Sequence, residues 1–535
     1  MPSRPINLQF PLKGLDESRA FATQMGGEGG YTTALAQNVC GYDPTTGRNR
    51  GSSRGGLGKW CSAQVNGSLP IQDVAQVVGT VEPGVLSMED GFSILMEDGT
   101  TFIDLELSST TGVGERLVTV VGTSGGEPKT LTASAATAIT SGPGALSTSQ
   151  QVIFSTQFQE DLYFCDGTVY KIFDVSANEI VTWMATSGTL PVDANSNVAT
   201  GIERWNNRLA LFGVTGDSRT IFFSAVGDAL DYDYTPDAIT TTMAVALAND
   251  DIVTCFIPYT DDVALIGGDH TIYRLSGDPA DGGRRDLVSD QTGIAFGRAW
   301  CKSPEGTVYF MGSRGGIYRI DPGGGIPQRL TATTIDERLA DVDMDTNIFR
   351  LVWDDRHLCV RIFITPKDGS ATTNYVWDVR NQAWWPLTFA NDDHNPICVL
   401  LLSGYSADDR TVLLGCQDGY VRMFDPDAST DDGSGIESFV FLGPFTNLTF
   451  QEFQATLGNT SGNLTWSIHE ADNLEDALSA QACATGQWRA GRNRSQWPKR
   501  YLRRGFVKLS SLENWSLEQV TASVEQGSAQ RGRMF

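Results

Sequence analysis

The amino-acid sequence predicts an all-β protein whose largest part is a β-propeller of about seven blades, although six or eight blades also fit the pattern. The first observation is the composition, since the 535 residues include 57 glycines together with runs of Ser, Thr, Asn and Asp. Such a chain contains many turns and favours short strands. The second observation is a repeat of short apolar segments that are separated by acidic turns.

The repeat is clearest at residues 207–234, where two apolar strands flank a Gly-Asp turn and an acidic, tyrosine-rich segment follows. Asp-Gly pairs suit the positive φ angles of tight turns, so each repeat is predicted to be a β-hairpin. Similar strand pairs occupy residues 89–106, 159–175, 260–278, 304–323, 354–386 and 408–426. After a first step of 70 residues, the repeats start 48, 53, 44, 50 and 54 residues apart, which matches a four-stranded propeller blade.

A hairpin that is apolar on both faces is unstable alone, whereas radial stacking buries each sheet between two neighbours. We therefore predict a propeller over residues 61–430. The long first step contains residues 107–150, a segment rich in Thr, Ser, Ala and Gly. This segment is either an inserted β extension that projects from the ring or a degenerate blade.

Two further regions flank the predicted propeller. Residues 1–60 show little periodic hydrophobicity and are predicted to form an extended docking arm. Beyond residue 433, alternation of apolar and polar residues in LTFQEFQATL and NLTWSIHE is typical of half-buried antiparallel strands. A C-terminal β-sandwich-like domain is the prediction for residues 435–535.

The formal net charge of −25 argues against sequence-specific binding of nucleic acid by the whole surface. The nine cysteines are scattered singly, without metal-binding spacing, so we expect reduced, buried thiols. The sequence shows neither a secretory signal nor an apolar segment long enough to span a membrane. These features indicate synthesis in a reducing cytoplasm.

Patterns typical of catalysis or metal binding find no support in the sequence. The four histidines lack HxxxH or HExxH spacing. The segment DVDMDTN begins like a calcium loop, but Thr346 stands where that loop needs Gly and Val352 where it needs Glu. GSSRGGLGKW is not a phosphate loop, because Trp60 follows Lys59. No carboxylate pair stands out either, so we expect no enzyme activity, no cofactor and no metal site.

The strongest local charge lies in WRAGRNRSQWPKRYLRRGF, residues 488–506, where basic and aromatic residues alternate. Such a segment suits docking to an acidic neighbouring subunit, because Arg and aromatic residues commonly anchor interfaces. A solvated hairpin and a nucleic-acid surface are the alternatives. Candidate docking residues are Arg489, Arg492, Arg494, Trp497, Arg500 and Arg503, together with the arm residues Arg48, Arg50, Arg54 and Lys59.

Residues 38–60, NVCGYDPTTGRNRGSSRGGLGKW, resemble the N-V-x-x-Y-D-P-x-T-G-R-x-R-G-x-x-R-x-G-L opening of the tail nozzle proteins of short-tailed bacteriophages. This family is also called tail tubular protein B or packaged-DNA stabilisation protein. Residues 207–228 are similar to the family's blade signature, with Asn-Arg-Leu at 207–209 followed by Ile221, Ser224 and Gly-Asp at 227–228. The chain departs from the pattern at Cys40 and at Gly58-Lys59, and residues 107–150 have no counterpart.

The resemblance implies a structural virion protein at the distal end of a short tail. Such proteins form a homo-hexameric ring, dock on a dodecameric adaptor ring, carry tail fibres or tailspikes, retain the packaged genome and pass it during ejection. In a ring of such acidic chains, carboxylates that face the channel would repel DNA phosphates and let the DNA slide without sequence-specific binding. The acidic turns with Asp98, Asp228, Asp231, Asp261 and Asp418 are the candidates for this lining.

Two other functions remain open at the level of sequence. A stand-alone propeller that binds or hydrolyses host-surface polysaccharide would need a central pocket, to which Trp353, Trp377, Trp384 and Trp385 are candidate contributors. A packed blade core explains the same tryptophans. A nucleic-acid-binding propeller would depend on residues 488–506 alone.

Overall fold

The computed structural model describes residues 3–20, 24, 31–80, 116–141, 146–234, 243–247, 251–403 and 410–526. The predicted hairpin at 89–106, which includes Asp98, lies outside these residues. Within them, strands dominate, and the helical elements are the α-helices Asp336–Ala340 and Leu474–Ser479 and the 3-10 turns Pro279–Asp281 and Asp392–His394.

Seven sheets, each with four antiparallel strands, follow one another as the blades of a β-propeller, which confirms the predicted fold class and blade number. Blade 1 comprises Ile71–Thr80, Arg116–Ser124, Glu127–Leu131 and Ala136–Ala138. Blade 2 comprises Phe154–Phe158, Asp161–Cys165, Tyr170–Asp174 and Glu179–Thr182, and Thr140–Ser141 pairs with its last strand. Blade 3 comprises Gly201–Trp205, Arg208–Val214, Asp217–Phe223 and Met243–Ala246. The short strands Ser187–Gly188 and Asp231–Tyr232 pair separately.

The remaining blades have the same plan. Blade 4 comprises Val253–Thr260, Val263–Gly268, Ile272–Ser276 and Arg284–Ser289. Blade 5 comprises Trp300–Lys302, Val308–Met311, Ile317–Ile320 and Gln328–Arg329. Blade 6 comprises Asn347–Asp354, Cys359–Pro366, Asn374–Asp378 and Ala383–Leu387. Blade 7 comprises Pro396–Ser403, Arg410–Cys416, Val421–Asp425 and Gly56–Lys59, extended by Thr430–Asp431 and Ser434–Gly435.

The predicted hairpins correspond to the second and third strands of blades 2 to 7. In blade 1 these two strands are Arg116–Ser124 and Glu127–Leu131. Residues 116–138, for which an inserted extension and a degenerate blade were both open, therefore supply three strands of the first blade. The segment lacks the acidic turn of the other repeats, since its strands meet at Gly125-Gly126.

The apolar core lies between the blades, with a cluster of buried side chains at each of the seven junctions. Central strands are consequently buried on both faces. In blade 3, for example, six of the seven residues of Arg208–Val214 are buried, with Gly213 the exception. This double burial explains why the strands appear in the sequence as apolar runs with little alternation.

The ring closes through a strand from the N-terminal region. Gly56–Lys59 pairs antiparallel with Val421–Asp425, with Leu57 opposite Phe424, and becomes the fourth strand of blade 7. A side chain at Gly56 would meet the Thr430 carbonyl oxygen, since a Cβ there would lie 2.2 Å from it. The last blade is thus completed by residues that precede the first.

The C-terminal residues form a ten-stranded antiparallel sheet that includes four strands of the N-terminal region. Its long strand Ser438–Leu457 pairs with Arg500–Ser511, Ser516–Gln526 and Gly491–Gln496. The other C-terminal strands are Leu464–Glu470 and Ala484–Trp488, and the N-terminal contributions are Arg4–Asn7, Ala36–Gln37, Val39–Cys40 and Gly51–Ser53. The apolar core of this sheet is continuous with the outer strand of blade 6 through Trp385 and Leu387.

Shortening a side chain of the strand Gly56–Lys59 tests whether this strand stabilises the closed ring. Leu57 is 2% exposed and packs between blades 6 and 7, so Leu57→Ala should lower the free energy of unfolding by about 3 kcal/mol. Leu69→Ala is the control, because Leu69 is 49% exposed and its loss should change the free energy by less than about 0.5 kcal/mol. Urea unfolding followed by tryptophan fluorescence measures both, and equal midpoints for the two variants would contradict the closure.

Candidate interaction surfaces

The arm motif, residues 38–60, lies where the closing strand, blade 6 and the C-terminal sheet meet, and its residues 38–43 and 50–57 are buried. The Asn38 side-chain oxygen accepts hydrogen bonds from the Arg54 Nε at 3.1 Å and the Thr388 amide at 2.8 Å. The Asn38 amide nitrogen donates to the Glu437 carbonyl at 2.9 Å. One side chain thereby joins three parts of the chain.

Each of the four basic arm residues contacts a carboxylate of the same chain. Arg54 forms a buried bidentate pair with Asp431, with N···O distances of 2.9 and 2.5 Å. The carboxylate of Asp431 also accepts a hydrogen bond from the Leu57 amide at 3.1 Å, which fixes the closing strand. The other pairs are Arg50 with Asp43 and Glu518, Arg48 with Glu518, and Lys59 with Asp432. Their docking role stays a prediction, and these contacts give each an intrachain role.

A second buried ion pair, between Asp354 and Arg361, lies near Tyr42 of the arm motif. The Tyr42 ring stacks on His357 at 5.1 Å, and the His357 ring contacts Asp354 at 2.9 Å and the Pro44 carbonyl at 3.2 Å. Arg361 donates two hydrogen bonds to the same Asp354 oxygen, at 2.9 and 2.7 Å. Burial alone would raise the pKa of Asp354, but Arg361 and His357 more than offset this and hold the pKa well below its usual range.

Most basic residues of the segment 488–506 are exposed, and they lie in the turn before the strand Gly491–Gln496, on that strand and at the start of Arg500–Ser511. The Asn493 side chain bonds both the amide and the carbonyl of Arg489, at 2.9 and 2.6 Å. Arg492 and Arg494 lie two residues apart on the strand Gly491–Gln496 and are exposed, as are Arg500 and Arg503. Trp497 is 60% exposed and Tyr501 48%. We call these six residues and Arg489 the basic surface, and no carboxylate of the described residues forms an ion pair with it.

The acidic turns do not gather at one place. Asp228, Asp231 and Asp261 lie in connections after a blade's first or third strand, whereas Asp418 follows a second strand. Because successive strands of a blade run in opposite directions, the first three carboxylates lie on one face of the ring and Asp418 on the other. Asp418 is also paired with Arg422, at N···O distances of 2.7 Å. The predicted lumen lining stays a prediction, with Asp98 outside the described residues.

Charged residues at the propeller axis escaped the sequence prediction. The innermost strands carry Asp73 in blade 1, Glu203 in blade 3 and Arg350 in blade 6, and Arg298 precedes the first strand of blade 5. Arg298 contacts Glu203 at 2.9 Å and donates to the Ser155 carbonyl of blade 2 at 2.5 Å, so its side chain reaches across the axis. The signal was an ionisable residue within an apolar inner strand, as in IQDVAQVV and GIERW.

Burial dominates the electrostatics of this axial cluster. It raises the pKa of the Asp73 and Glu203 carboxyls, although Arg298 partly offsets both effects, and it lowers the pKa of Arg350 to about 10. Asp73 accepts a hydrogen bond from the Ser155 hydroxyl. Side chains from blades 1, 2, 3 and 5 therefore meet on the axis, which is not an open channel.

A cavity of about 590 Å³ opens at the mouth of this axis. Its walls come from blades 2, 3, 5 and 6 and include Phe154, Thr200, Phe296 and Arg350. The four tryptophans considered for a central pocket lie elsewhere, since Trp353, Trp377 and Trp384 pack between blades 5 and 6 and Trp385 packs under the C-terminal sheet.

Metal binding, disulfide bonding and a membrane-spanning helix find no support in the described residues. Among the described residues, no group of three or more His, Cys, Asp and Glu side chains is placed to hold a metal ion. Eight of the nine cysteines are buried and all are unpaired, with Cys483 half-buried. No helix in the described ranges has the length and apolar character that a membrane span requires.

No protein-family model matches the chain, and no curated protein matches it. Similar solved structures include two B. thetaiotaomicron extracellular domains, described as belonging to a hybrid two-component and a one-component system, with TM-scores of 0.39 and 0.42 and identities of 9% and 8%. The matches cover 83% and 85% of this chain but only 49% and 58% of those domains, about half their length. The WD40 β-propeller domain of Doa1 matches at a TM-score of 0.36 and 12% identity, over 69% of this chain and 97% of that one. These neighbours assign no function to the chain.

Removal of the Asp354 charge tests the pair beneath the arm motif. Asp354→Asn should lower the free energy of unfolding by about 3 kcal/mol at neutral pH, because it leaves Arg361 buried without its carboxylate. A depressed pKa contributes stability above the unfolded-state value of about 4, and this contribution is lost as the pH falls. The difference between variant and parent should therefore shrink below about pH 4.

Urea midpoints at a series of pH values measure this difference. Asp321→Asn is the control, because its pair with Arg319 is largely exposed and should contribute less than about 1 kcal/mol. If Asp354→Asn lowers the free energy of unfolding by the same amount at acidic and neutral pH, the charge of Asp354 does not stabilise the fold through Arg361.

Proposed function

We propose that this protein is the distal nozzle of a short bacteriophage tail, a structural virion protein that acts as a homo-hexamer, docks on a dodecameric adaptor ring and passes DNA during ejection. The observation that carries the proposal is the arm motif. The residues that resemble the nozzle family are the ones that join the closing strand to the C-terminal sheet, through Asn38, Asp43, Arg50 and Arg54. A shared motif is thus accompanied by a structural reason for it.

The blade signature supports the same proposal. Arg208 is buried, donates to the Ser224 carbonyl at 2.8 Å and pairs with Asp278 of blade 4 at 2.7 and 2.9 Å. The Gly227 amide donates to the Asn207 carbonyl at 2.8 Å. Among the residues that resemble the family's signature, Arg208 therefore connects two blades, and Asn207 and Gly227 join two turns of blade 3.

The filled axis bears on where the DNA would pass. Since side chains of four blades meet at the centre, DNA would not thread an individual propeller. The conduit of the proposal lies between copies of the chain, whose formal charge of −25 makes their shared channel repulsive to phosphates. The basic surface supplies the opposite charge for contact with an acidic neighbour.

The first test is negative-stain electron microscopy of the purified protein, alone and with its tail adaptor ring. A six-fold ring with an axial opening in either sample supports the nozzle. Single discs that never join the adaptor would overturn it and leave the stand-alone polysaccharide-binding propeller as the alternative. In either case the proposal assigns no enzyme activity to the chain.

Loss of positive charge from the basic surface should weaken docking. The triple variant Arg489→Ala, Arg492→Ala and Arg494→Ala removes exposed side chains without ion pairs in the described part of the chain, so folding should be unchanged and binding to the neighbouring subunit at least about tenfold weaker. The control removes three exposed propeller arginines, Arg284, Arg285 and Arg314. Co-sedimentation with the adaptor ring compares the two, and equal binding would exclude this surface.

Charge reversal on one face of the ring tests the conduit. Asp228→Lys with Asp261→Lys should slow genome ejection while particle assembly continues, because the new cations would hold passing phosphates. Asp392→Lys with Asp393→Lys places the same charges on the opposite face as a control. Ejection is followed by the fluorescence of a DNA-binding dye, and unchanged kinetics in both variants would remove these turns from the channel.

A further inference from the structure

The mouth cavity carries an inference that does not depend on the proposed role in a tail. Its volume of about 590 Å³ falls within the range of small-molecule sites, about 300 to 1,000 Å³. It lies over the propeller axis, since its walls come from blades on opposite sides of the ring. The chemistry of these walls defines the class of ligand.

The central feature is a buried guanidinium that forms no ion pair with a described carboxylate, although the Asp73 charge acts on it from farther away. Arg350 is 4% exposed, and its hydrogen bond goes to the carbonyl of its neighbour Phe349, at 2.8 Å. Its guanidinium lies over the Phe154 ring, 5.7 Å from the centroid. Among the described residues, no carboxylate lies within ion-pair distance of Arg350: Glu203 is paired with Arg298, and Asp73 accepts from Ser155.

Buried charges are normally paired, because desolvation without a partner is costly. An unpaired guanidinium in a cavity wall therefore suits an incoming anion, and its planar fork matches a carboxylate through two parallel hydrogen bonds. Lys367 adds a second cation at the rim, where its Nζ donates to the Asp345 carbonyl at 2.5 Å.

The carboxylates of the cavity leave room for this anion. Asp166 is directed into its own turn, where it accepts from the amides of Thr168 and Val169, both at 2.7 Å, and from that of Ser147 at 2.6 Å. Asp345 is exposed at the rim. Neither forms an ion pair with Arg350, so Arg350 is the buried side chain of this wall that can receive an anion.

Neutral groups complete the lining. Gln150, Gln151 and Asn347 bring amides to the wall, which suit hydroxyl groups as donors and acceptors. Phe296 contributes a ring that is 50% exposed, and such a face packs well against the C–H surface of a saccharide ring. A buried cation, amides on the walls and an aromatic ring at the rim together suit a ligand that has an anionic group, hydroxyl groups and an apolar face.

We propose that the mouth cavity binds a sugar acid, a saccharide ring that carries a carboxylate. Arg350 pairs with the carboxylate, Phe296 packs against the ring, and the Gln150 and Gln151 amides bond its hydroxyls. Binding without hydrolysis is expected, because the Asp166 carboxylate is held in its own turn and is not free to act with Asp345 as an acid and base pair. The same chemistry is offered by a free uronic acid and by a uronate within a polysaccharide.

Isothermal titration of the full-length protein with glucuronate tests the site, with glucose and inorganic phosphate as comparison ligands. We expect a dissociation constant of about 1 mM for glucuronate and binding at least about tenfold weaker for both comparison ligands. Glucose that binds as well as glucuronate would overturn the assignment of a carboxylate site, and phosphate that binds as well would overturn the saccharide. Undetectable binding of glucuronate would overturn the proposal altogether.

Variants assign the binding to this cavity. Arg350→Gln should weaken glucuronate binding at least about tenfold, because a charged hydrogen-bond donor is lost. Lys367→Ala and Phe296→Ala change exposed rim residues and should each weaken it about threefold, so they test the site even if Arg350→Gln fails to fold. Arg356→Gln is the control, since Arg356 is exposed on the opposite face. Equal binding by the two rim variants and the parent would place the ligand elsewhere.

A uronate polymer distinguishes binding of a free uronic acid from binding of a uronate within a polysaccharide. Polygalacturonate that binds with a lower molar dissociation constant per uronate than the monomer, and loses that advantage in Phe296→Ala, supports recognition of a polysaccharide through the open rim. Monomer binding combined with exclusion of the polymer supports a small free sugar acid. In both cases the Arg350 dependence must hold, and its absence would refute the carboxylate anchor.

Discussion

The pairing of Gly56–Lys59 with Val421–Asp425 is the constraint on which the rest of the structure depends. Blades 1 and 7 also pack against each other through an apolar cluster, and an open ring would expose these faces. The buried Arg54–Asp431 pair fixes this strand from a distance of 377 positions along the chain. The entropic cost of such a long closure rises only slowly with its length, by about 0.6 kcal/mol for each doubling.

The same strand determines where the C-terminal sheet lies. Residues immediately before it, Val39–Cys40 and Gly51–Ser53, pair with each other, and the second of these strands pairs with Ser516–Gln526. The chain therefore cannot close the propeller without also bringing the N-terminal region onto the C-terminal sheet. The Arg50–Glu518 ion pair and the hydrogen bond from the Asn38 side chain to the Glu437 carbonyl hold the N-terminal region on this sheet.

The repeated hairpins were predictable because two-sided burial and Asp-Gly turns both leave local marks in a sequence, as at residues 408–426. Blade 1 was ambiguous because its strands meet at Gly125-Gly126 and its first strand is followed by a long connection, which disturbed the spacing. Residues 1–60 were predicted as an arm since their strands are two to four residues long, too short for a period to be seen. Asp73 and Glu203 stand out locally as ionisable residues in apolar strands, but their meeting with Arg298 depends on contacts between distant blades, which a local pattern does not record.

The distribution of paired and unpaired charge connects the two proposals. Several basic side chains that stabilise the fold are paired with a carboxylate, as Arg54 is with Asp431 and Arg208 is with Asp278. The basic surface on the C-terminal sheet and Arg350 in the mouth cavity have no such ion pair among the described residues. In a chain with 64 acidic and 39 basic residues, partners for these cations were abundant, yet the fold leaves them unpaired. A cation kept free in an acidic protein is available to an anion from outside, a macromolecule at the exposed surface and a small carboxylate in the enclosed cavity.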